Sequence, residues 1–270
     1  MLVFLIDLDG TIQGDVTNQI KEHKLLSLIN NFTNNSYKLK QNLKDLQDDM
    51  RNNLLRPFFQ SFMKLIQTDF KGEIEIFVYT HSEKKWAYKM ISVIESVINC
   101  KINRPILTRN HCINSNTNHI KSISKVQRLI ENSLLQKYQH IKSKSDLNLD
   151  IYLIDNKSNL IASEQHRLIK CPTYNYKTYC NPMRNIPHKI VDKYHKLISN
   201  ELLHRTYSNT WEMQSVFFAS VCKHVNIVKQ TNNPYNNDIY WKKIIQQLLI
   251  YKTNKITRSQ LIKSLKGLYK

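Results

Sequence analysis

The sequence predicts an α/β protein whose core is a doubly wound parallel sheet. Three short apolar runs of strand-forming residues indicate this fold: residues 2–6 (LVFLI), 74–79 (IEIFVY) and 151–154 (IYLI). Helical patterns lie between them at 56–67, 83–97 and 120–138. Strands that alternate with helices form parallel sheets covered on both faces, where uninterrupted apolar strands are buried.

Each apolar run ends in a polar cluster. The first is followed by residues 7–11 (DLDGT), the second by 80–82 (THS) and the third by 155–156 (DN). Open parallel sheets bind their ligands outside the carboxyl ends of the strands, where the strand order reverses. If the three strands are neighbours, their polar clusters meet at one edge, and the sequence predicts a single site there.

Two further regions lie outside the alternating pattern. Residues 19–50 are polar with helical spacing, which predicts a helical insertion after the first strand, either a lid or docking element or a surface helical pair without special function. After residue 178 only helical stripes follow, at 213–225, 241–249 and 261–268. We therefore predict an α/β domain over 1–178 and a basic helical C-terminal region over 179–270.

The composition is strongly basic, with 40 Lys and Arg against 21 Asp and Glu and a net charge of +19. One explanation is a polyanionic partner. The other is an AT-rich coding sequence, such as that of a large DNA virus or a unicellular eukaryote. From residue 181 onward the sequence contains 15 basic residues and only 4 acidic ones. This region is a predicted surface for nucleic acid or an acidic partner, with a solvated basic face as the alternative.

The cysteines and the hydropathy pattern indicate a soluble intracellular protein. The five cysteines show no C-x-x-C spacing, which predicts neither a disulfide framework nor a zinc site. Acidic residues interrupt the first apolar run too early for a signal peptide. No stretch approaches the roughly 20 apolar residues that span a membrane. We expect the cytoplasm or the nucleus, and no membrane partner.

The carboxylates after the first strand suit phosphoryl transfer. Asp7 can attack phosphorus to form an aspartyl-phosphate, while Asp9 protonates the leaving oxygen and later deprotonates the hydrolytic water. Mg²⁺ prefers hard oxygen ligands, which Asp7, the backbone carbonyl of Asp9 and the pair Asp155 and Asn156 can supply. Thr80 offers a hydroxyl and a backbone N–H to a phosphate oxygen.

These motifs resemble the haloacid dehalogenase (HAD) superfamily and, within it, the FCP/SCP-type branch of C-terminal-domain phosphatases, which are NLI-interacting-factor-like. The superfamily resemblance includes residues 7–11 and Thr80. The resemblance to the branch covers about residues 1–175, but the branch usually has Glu where this chain has Gly10. The segments that resemble the branch are 56–63 (RPFFQSFM), 78–88 (VYTHSEKKWAY), 109–112 (RNHC), 120–124 (IKSIS) and 154–156 (IDN).

The resemblance implies a phosphatase with Mg²⁺ as cofactor and a phosphoprotein, bearing phosphoSer or phosphoThr, as substrate. It implies Asp7 as nucleophile, Asp9 as acid/base, and phosphate contacts from Thr80 and Lys121, with Lys125 as the alternative lysine. The implied metal ligands are Asp7, Asp9 and Asn156, supported by Asp155. The other predicted phosphate or substrate contacts are Gly10, Thr11, Arg56, His81 and Ser82.

Two other functions remain open from the sequence. The basic charge favours a nucleic-acid or nucleotide phosphatase, because cationic surfaces bind phosphate backbones of any sequence. The same fold also allows a scaffold without catalytic activity. The presence of Asp7 and Asp9 argues against a scaffold, since the loss of a carboxylate is its usual mark.

Overall fold

A computed structural model describes residues 1–14, 46–48, 50–114, 119–141, 143–174 and 238–269. Most of the predicted insertion at 19–50 and the predicted stripe at 213–225 lie outside these residues. The described strands are β1 (Leu2–Ile6), β2 (Ile74–Val78), β3 (Ile113–Asn114), β4 (His119–Ile120), β5 (Asp150–Asp155) and β6 (Leu168–Lys170). The described α-helices are α1 (Phe59–Asp69), α2 (Lys84–Ile98), α3 (Ile123–Lys137), α4 (Tyr240–Asn254) and α5 (Arg258–Gly267). Shorter helical turns cover Met50–Leu54, Arg109–His111, Ser145–Leu147 and Ala162–Arg167.

The central sheet is parallel and has the order β2-β1-β5-β6. All residues of β1 and β2 are buried, as their apolar runs predict. Because β1 pairs with β2 on one side and with β5 on the other, the strand order reverses at β1. The predicted α/β fold with a doubly wound parallel sheet is confirmed, and β6 is a fourth strand that the sequence did not indicate.

The register of the sheet aligns the three predicted strand ends. Ile6, the last residue of β1, pairs with Val78 of β2 and with Ile154 of β5. The backbone N–H of Asp7 then donates to the carbonyl of Ile154 at 2.9 Å. The polar clusters therefore leave three neighbouring strands at the same level.

The segment that follows β1 pairs with a segment that comes about 40 residues later in the chain. Gln13 forms an antiparallel bridge with Leu55, and the backbone N–H of Gly14 donates to the carbonyl of Leu54 at 2.9 Å. The fold therefore holds together two residues, Gly14 and Leu54, that are 40 positions apart in the chain.

Helix α3 packs against one face of the sheet. Its apolar positions Ile123, Val126, Ile130 and Leu134 are fully buried in a cluster that includes Val3 of β1. The helical pattern predicted from residue 120 begins only at 123, since residues 119–120 pair in β4 and the backbone at 121 bridges to residue 160. This extended link brings a lysine to the end of the sheet.

The C-terminal helices belong to the compact unit that contains the sheet. That unit comprises residues 1–14, 47–176 and 236–270, whereas the prediction placed residue 179 onward in a separate region. Helix α4 packs on α1 through Trp241, whose ring lies 5.1 Å from Phe59 and 4.6 Å from Phe62. Within the predicted stripe 241–249, Ile244 is buried, but Leu249 is 40% exposed.

Among the helices of the described ranges, none combines the length and the apolar character that a membrane crossing requires. The cysteines within these ranges, Cys100, Cys112 and Cys171, form no disulfide. Burial raises the pKa of Cys171 to about 11, so this thiol stays protonated at neutral pH.

Candidate active site

A buried cluster of opposite charges lies at the carboxyl end of the sheet. Asp7 follows β1, Asp155 ends β5, and Lys121 stands in the extended link before α3. The Lys121 ammonium donates to Asp7 Oδ1 at 2.6 Å and to Asp155 Oδ2 at 2.7 Å. The Lys121 side chain is 0% exposed, and Asp7 is only 7% exposed. The predicted strand ends thus place Asp7 and Asp155 in contact with the same lysine.

Burial changes the proton affinity of these groups. Loss of hydration raises the pKa of Asp7 from 3.8 to about 7; this effect outweighs the attraction of Lys121, and repulsion from Asp155 adds to it. Burial alone would lower the pKa of Lys121, but the carboxylates of Asp7 and Asp155 outweigh that effect and raise it. Lys121 therefore stays positively charged between two acidic groups.

The backbone on either side of Lys121 is fixed by several contacts. The Lys121 N–H donates to the carbonyl of Asn159 at 2.9 Å, and the N–H of Ser122 donates to the Tyr79 hydroxyl at 3.1 Å. The Glu164 carboxylate accepts the first N–H groups of α3, from Ile123 at 2.6 Å and from Ser124 at 2.9 Å. These contacts fix the position of the Lys121 backbone without a bound ligand.

Lys125, the alternative lysine of the prediction, lies elsewhere. Its ammonium donates to the backbone carbonyl of Cys112 at 2.5 Å. Of the two lysines, the structure therefore brings Lys121 to the charged cluster.

Two side chains of the described residues donate hydrogen bonds to Asp9. The Ser82 hydroxyl donates to Asp9 Oδ2 at 2.8 Å, and the Gln13 amide donates to Asp9 Oδ1 at 2.9 Å. Ser82 was predicted to contact phosphate, but its hydroxyl orients the second aspartate. Gln13 is fully buried and did not figure in the prediction.

Thr80 lies at the site, but only its hydroxyl, and not its backbone N–H, is available to a ligand. It is 2% exposed, and its Oγ1 accepts the backbone N–H of Ser82 at 3.1 Å. Its own backbone N–H donates to the carbonyl of Leu107 at 2.9 Å. The prediction that this N–H serves a phosphate oxygen is therefore wrong, because it is used in the fold, and the hydroxyl is the group to consider.

Gly10 and Thr11 form a turn that supports Asn156. Gly10 has a φ of +82°, and a Cβ there would lie 2.6 Å from the Asn156 side-chain nitrogen, so a larger residue would collide. The hydroxyl of Thr11, which is fully buried, donates to Asn156 Oδ1 at 3.3 Å and accepts the Asn156 N–H at 3.2 Å. The Asn156 amide also donates to the Thr173 hydroxyl at 3.1 Å. Thr11, predicted to contact phosphate, instead positions Asn156.

His81 follows Thr80 and is half-buried. Its Nδ1 lies 3.5 Å from the Asn159 side-chain nitrogen, and its buried Nε2 has no hydrogen-bond partner among the described residues. Burial, together with the charge of Lys121, lowers the pKa of His81 to about 4. The imidazole is therefore neutral at neutral pH, and its predicted contact with substrate stays a prediction.

Arg56 is inaccessible to a substrate. Its side chain is 0% exposed and donates from Nε and Nη2 to the carboxylate of Asp238 at 3.0 and 2.9 Å. The predicted role of Arg56 in substrate binding is therefore corrected: the guanidinium lies inside the protein and joins two of its segments.

A family model for NLI interacting factor-like phosphatases matches residues 2–197. The chain belongs to this family. A comparison with curated proteins gave no match. The family is the FCP/SCP-type branch of the HAD superfamily that the sequence motifs resemble, and it identifies the chain as a phosphatase. The scaffold hypothesis is therefore not retained.

The site of this phosphatase suits a hard divalent cation. The Lys121 ammonium contacts the carboxylates of Asp7 and Asp155, and Asp9 lies two residues after Asp7. A divalent cation would balance the negative charge that Lys121 leaves. Within the described ranges no group of three or more His, Cys, Asp or Glu side chains could hold a metal ion. Backbone and amide oxygens are ligands of another kind, and Mg²⁺ accepts them. The carboxylate of Asp7, the carbonyl of Asp9 and the amide oxygen of Asn156 would be such a set.

Several residues around this phosphatase site had no signal in the sequence. Gln13 lies four residues after Asp9 in a turn whose shape the motif does not reveal. Glu164 caps α3 from 41 residues away. Their roles depend on tertiary contacts, and a pattern of one sequence cannot show these.

Proposed function

We propose that this chain is a magnesium-dependent phosphomonoester hydrolase that forms an aspartyl-phosphate on Asp7. The observation that supports it best is the buried cluster of Asp7, Lys121 and Asp155 beside a separately held Asp9, in a chain of the phosphatase family. Phosphoryl transfer by an enzyme depends mainly on positioning and on neutralising the phosphoryl oxygens, and this cluster offers a nucleophile and a cation together.

In the first step an Asp7 carboxylate oxygen bonds to phosphorus, and the bond from phosphorus to the leaving oxygen breaks. Asp9 gives its proton to that oxygen. In the second step Asp9 takes a proton from water, whose oxygen attacks phosphorus and releases inorganic phosphate and the Asp7 carboxylate. Ser82 and Gln13 keep Asp9 oriented for both proton transfers.

Lys121 and Thr80 assist by binding the phosphoryl oxygens. The Lys121 ammonium, 2.6 Å from Asp7, lies where negative charge accumulates as the new bond forms. The Thr80 hydroxyl offers a further hydrogen bond. Bound Mg²⁺, held by Asp7, Asp9 and Asn156, would neutralise the phosphoryl oxygens.

The proposed substrate is a phosphoSer or phosphoThr side chain in a protein. The family match supports a phosphorylated substrate in general, and the FCP/SCP-type branch favours a phosphoprotein. The net charge of +19 supports a second candidate, a nucleic-acid or nucleotide phosphatase. Both substrates use the same two chemical steps.

Hydrolysis of p-nitrophenyl phosphate tests the chemistry. We expect activity that requires Mg²⁺, is abolished by Asp7→Asn, and falls at least 100-fold in Lys121→Met. Lys125→Met is the matched control, because it removes a nearby ammonium that donates to the backbone carbonyl of Cys112, and it should keep most activity. Equal losses in the two lysine variants, or an active Asp7→Asn, would contradict the proposal.

A substrate panel then separates the two candidates. Phosphoserine and phosphothreonine peptides are compared with oligonucleotides that carry a 3′ or 5′ phosphate, at two salt concentrations. We expect kcat/KM to be higher on the peptides. Higher values on the oligonucleotides, falling steeply with salt, would favour the second candidate.

A further inference from the structure

The C-terminal segment reaches the active-site turn through one buried ion pair. Asp238, just before α4, accepts two hydrogen bonds from the Arg56 guanidinium, and the paired side chains are 19% and 0% exposed. Asp238 Oδ1 also accepts the N–H of Tyr240, the first residue of α4, at 3.1 Å. One carboxylate therefore binds the beginning of α4 and the guanidinium together.

Arg56 in turn contacts the backbone of the turn after Asp9. Its Nη1 donates to the carbonyl of Thr11 at 3.4 Å, and its backbone N–H donates to the carbonyl of Ile12 at 2.9 Å. The guanidinium lies 4.7 Å from the ring centre of Tyr240, a residue of α4. Asp238 and Tyr240 thus fix the guanidinium that holds this turn.

The turn passes this constraint to the predicted metal ligand. Thr11 exchanges hydrogen bonds with Asn156 through its hydroxyl, and the preceding Gly10 would collide with Asn156 if it carried a Cβ. A continuous path of contacts therefore runs from Asp238 through Arg56 and Thr11 to Asn156.

We propose that Asp238 is a positioning residue of this phosphatase, which fixes Asn156 for the divalent cation by orienting Arg56. This inference rests on the proposed function, in which Asn156 is a metal ligand. The family match ends at residue 197, so Asp238 belongs to a part of the chain that the match does not cover. Groups that orient metal ligands typically change metal affinity 10- to 100-fold when removed.

Metal binding and turnover in Asp238→Asn test this role. We expect Mn²⁺ affinity, measured by calorimetry on the protein with the metal alone, to fall about 10-fold, and the Mg²⁺ concentration for half-maximal activity to rise by a similar factor. At saturating Mg²⁺ the substrate KM should change less than twofold. Asp69→Asn is the matched control. It removes another carboxylate that pairs with α4, since Asp69 lies 3.6 Å from the Lys252 ammonium, and Asp69 is distant in sequence from the turn.

A second variant separates positioning from folding. Replacing the pair together, as Arg56→Met with Asp238→Leu, removes both buried charges, and apolar replacements of a buried pair often leave stability unchanged. This folded double variant should show the same weakened Mn²⁺ binding. Unchanged Mn²⁺ affinity in either folded variant would overturn the inference, and a wild-type chain with neither activity nor Mn²⁺ binding would instead overturn the proposed function.

Discussion

Replacing Asp7 by Asn should stabilise the metal-free protein while it removes activity. Asn resembles the protonated carboxyl group, so it avoids the cost of keeping a buried charge beside Asp155. A folded-state pKa of about 7 against 3.8 corresponds to about 4 kcal/mol of lost unfolding free energy at pH 8. We therefore expect Asp7→Asn to exceed wild type by up to about 4 kcal/mol at that pH.

The direction of the pH dependence follows from the raised pKa. Between pH 3.8 and about 7 the folded state holds a proton on Asp7 that the unfolded state releases, so wild-type stability falls as the pH rises through this window. The advantage of Asp7→Asn should therefore shrink to about 2 kcal/mol at pH 5. Below the unfolded-state pKa it should vanish.

Urea unfolding with a chelator present, at pH 5 and pH 8, measures this difference. Asp48→Asn is the control: it removes a carboxylate that is 51% exposed and pairs with Arg51, and it should change stability by less than about 0.5 kcal/mol. An Asp7→Asn variant that is less stable than wild type at pH 8 would refute the electrostatic reasoning. A stability advantage over wild type that is the same at both pH values would also refute it. Added Mg²⁺ should stabilise wild type more than the variant.

Three further substitutions test the residues around the site. Gly10→Ala adds strain at φ +82° and a Cβ 2.6 Å from Asn156, so urea unfolding should show a loss of about 1–3 kcal/mol; an unaffected variant would mean that the turn adapts. Gln13→Leu removes the donor to Asp9 together with a buried oxygen that has no hydrogen-bond partner among the described residues; kcat should fall about 10-fold without loss of stability, and unchanged kcat would contradict the orienting role. Burial alone would raise the pKa of Glu164, but hydrogen bonds from the start of α3 outweigh burial and lower this pKa below its usual value. Glu164→Gln should therefore cost about 1 kcal/mol of unfolding free energy at pH 7. Because the pKa of Glu164 is lowered in the folded state, that cost should shrink as the pH falls from 4.5 through the folded-state pKa, and a cost independent of pH would exclude the charge as its cause.

The strands and their shared edge could be predicted because their physics is local. Short apolar runs of strand-forming residues are typical of strands covered on both sides, and parallel order brings their ends together. The meeting of Asp7 and Asp155 follows from that order alone. Lys121 was identified through the family resemblance, since a lysine in an extended link has no periodicity to reveal it.

The contacts that orient the site could not be predicted in the same way. Arg56 lies at the start of a helical pattern, where an exposed cation near phosphate is as plausible as a buried one. Its partner Asp238 is 182 residues away, and only the packing of α4 on α1 brings the two together. The backbone N–H of Thr80 was likewise predicted to serve a phosphate oxygen, because its hydrogen bond to the carbonyl of Leu107 exists only in the folded chain.

The pairing of β1 with both of its neighbours also decides where the chain can change in length. Removing one residue within β1 would move Asp7 by about 3.3 Å and turn the following side chains to the opposite face of the sheet. Gly14 and Leu54, by contrast, are joined by a backbone hydrogen bond of 2.9 Å, which holds together the two ends of the segment between them. Insertions and deletions should therefore accumulate between these two residues among relatives of this chain, and be absent from the five residues before Asp7.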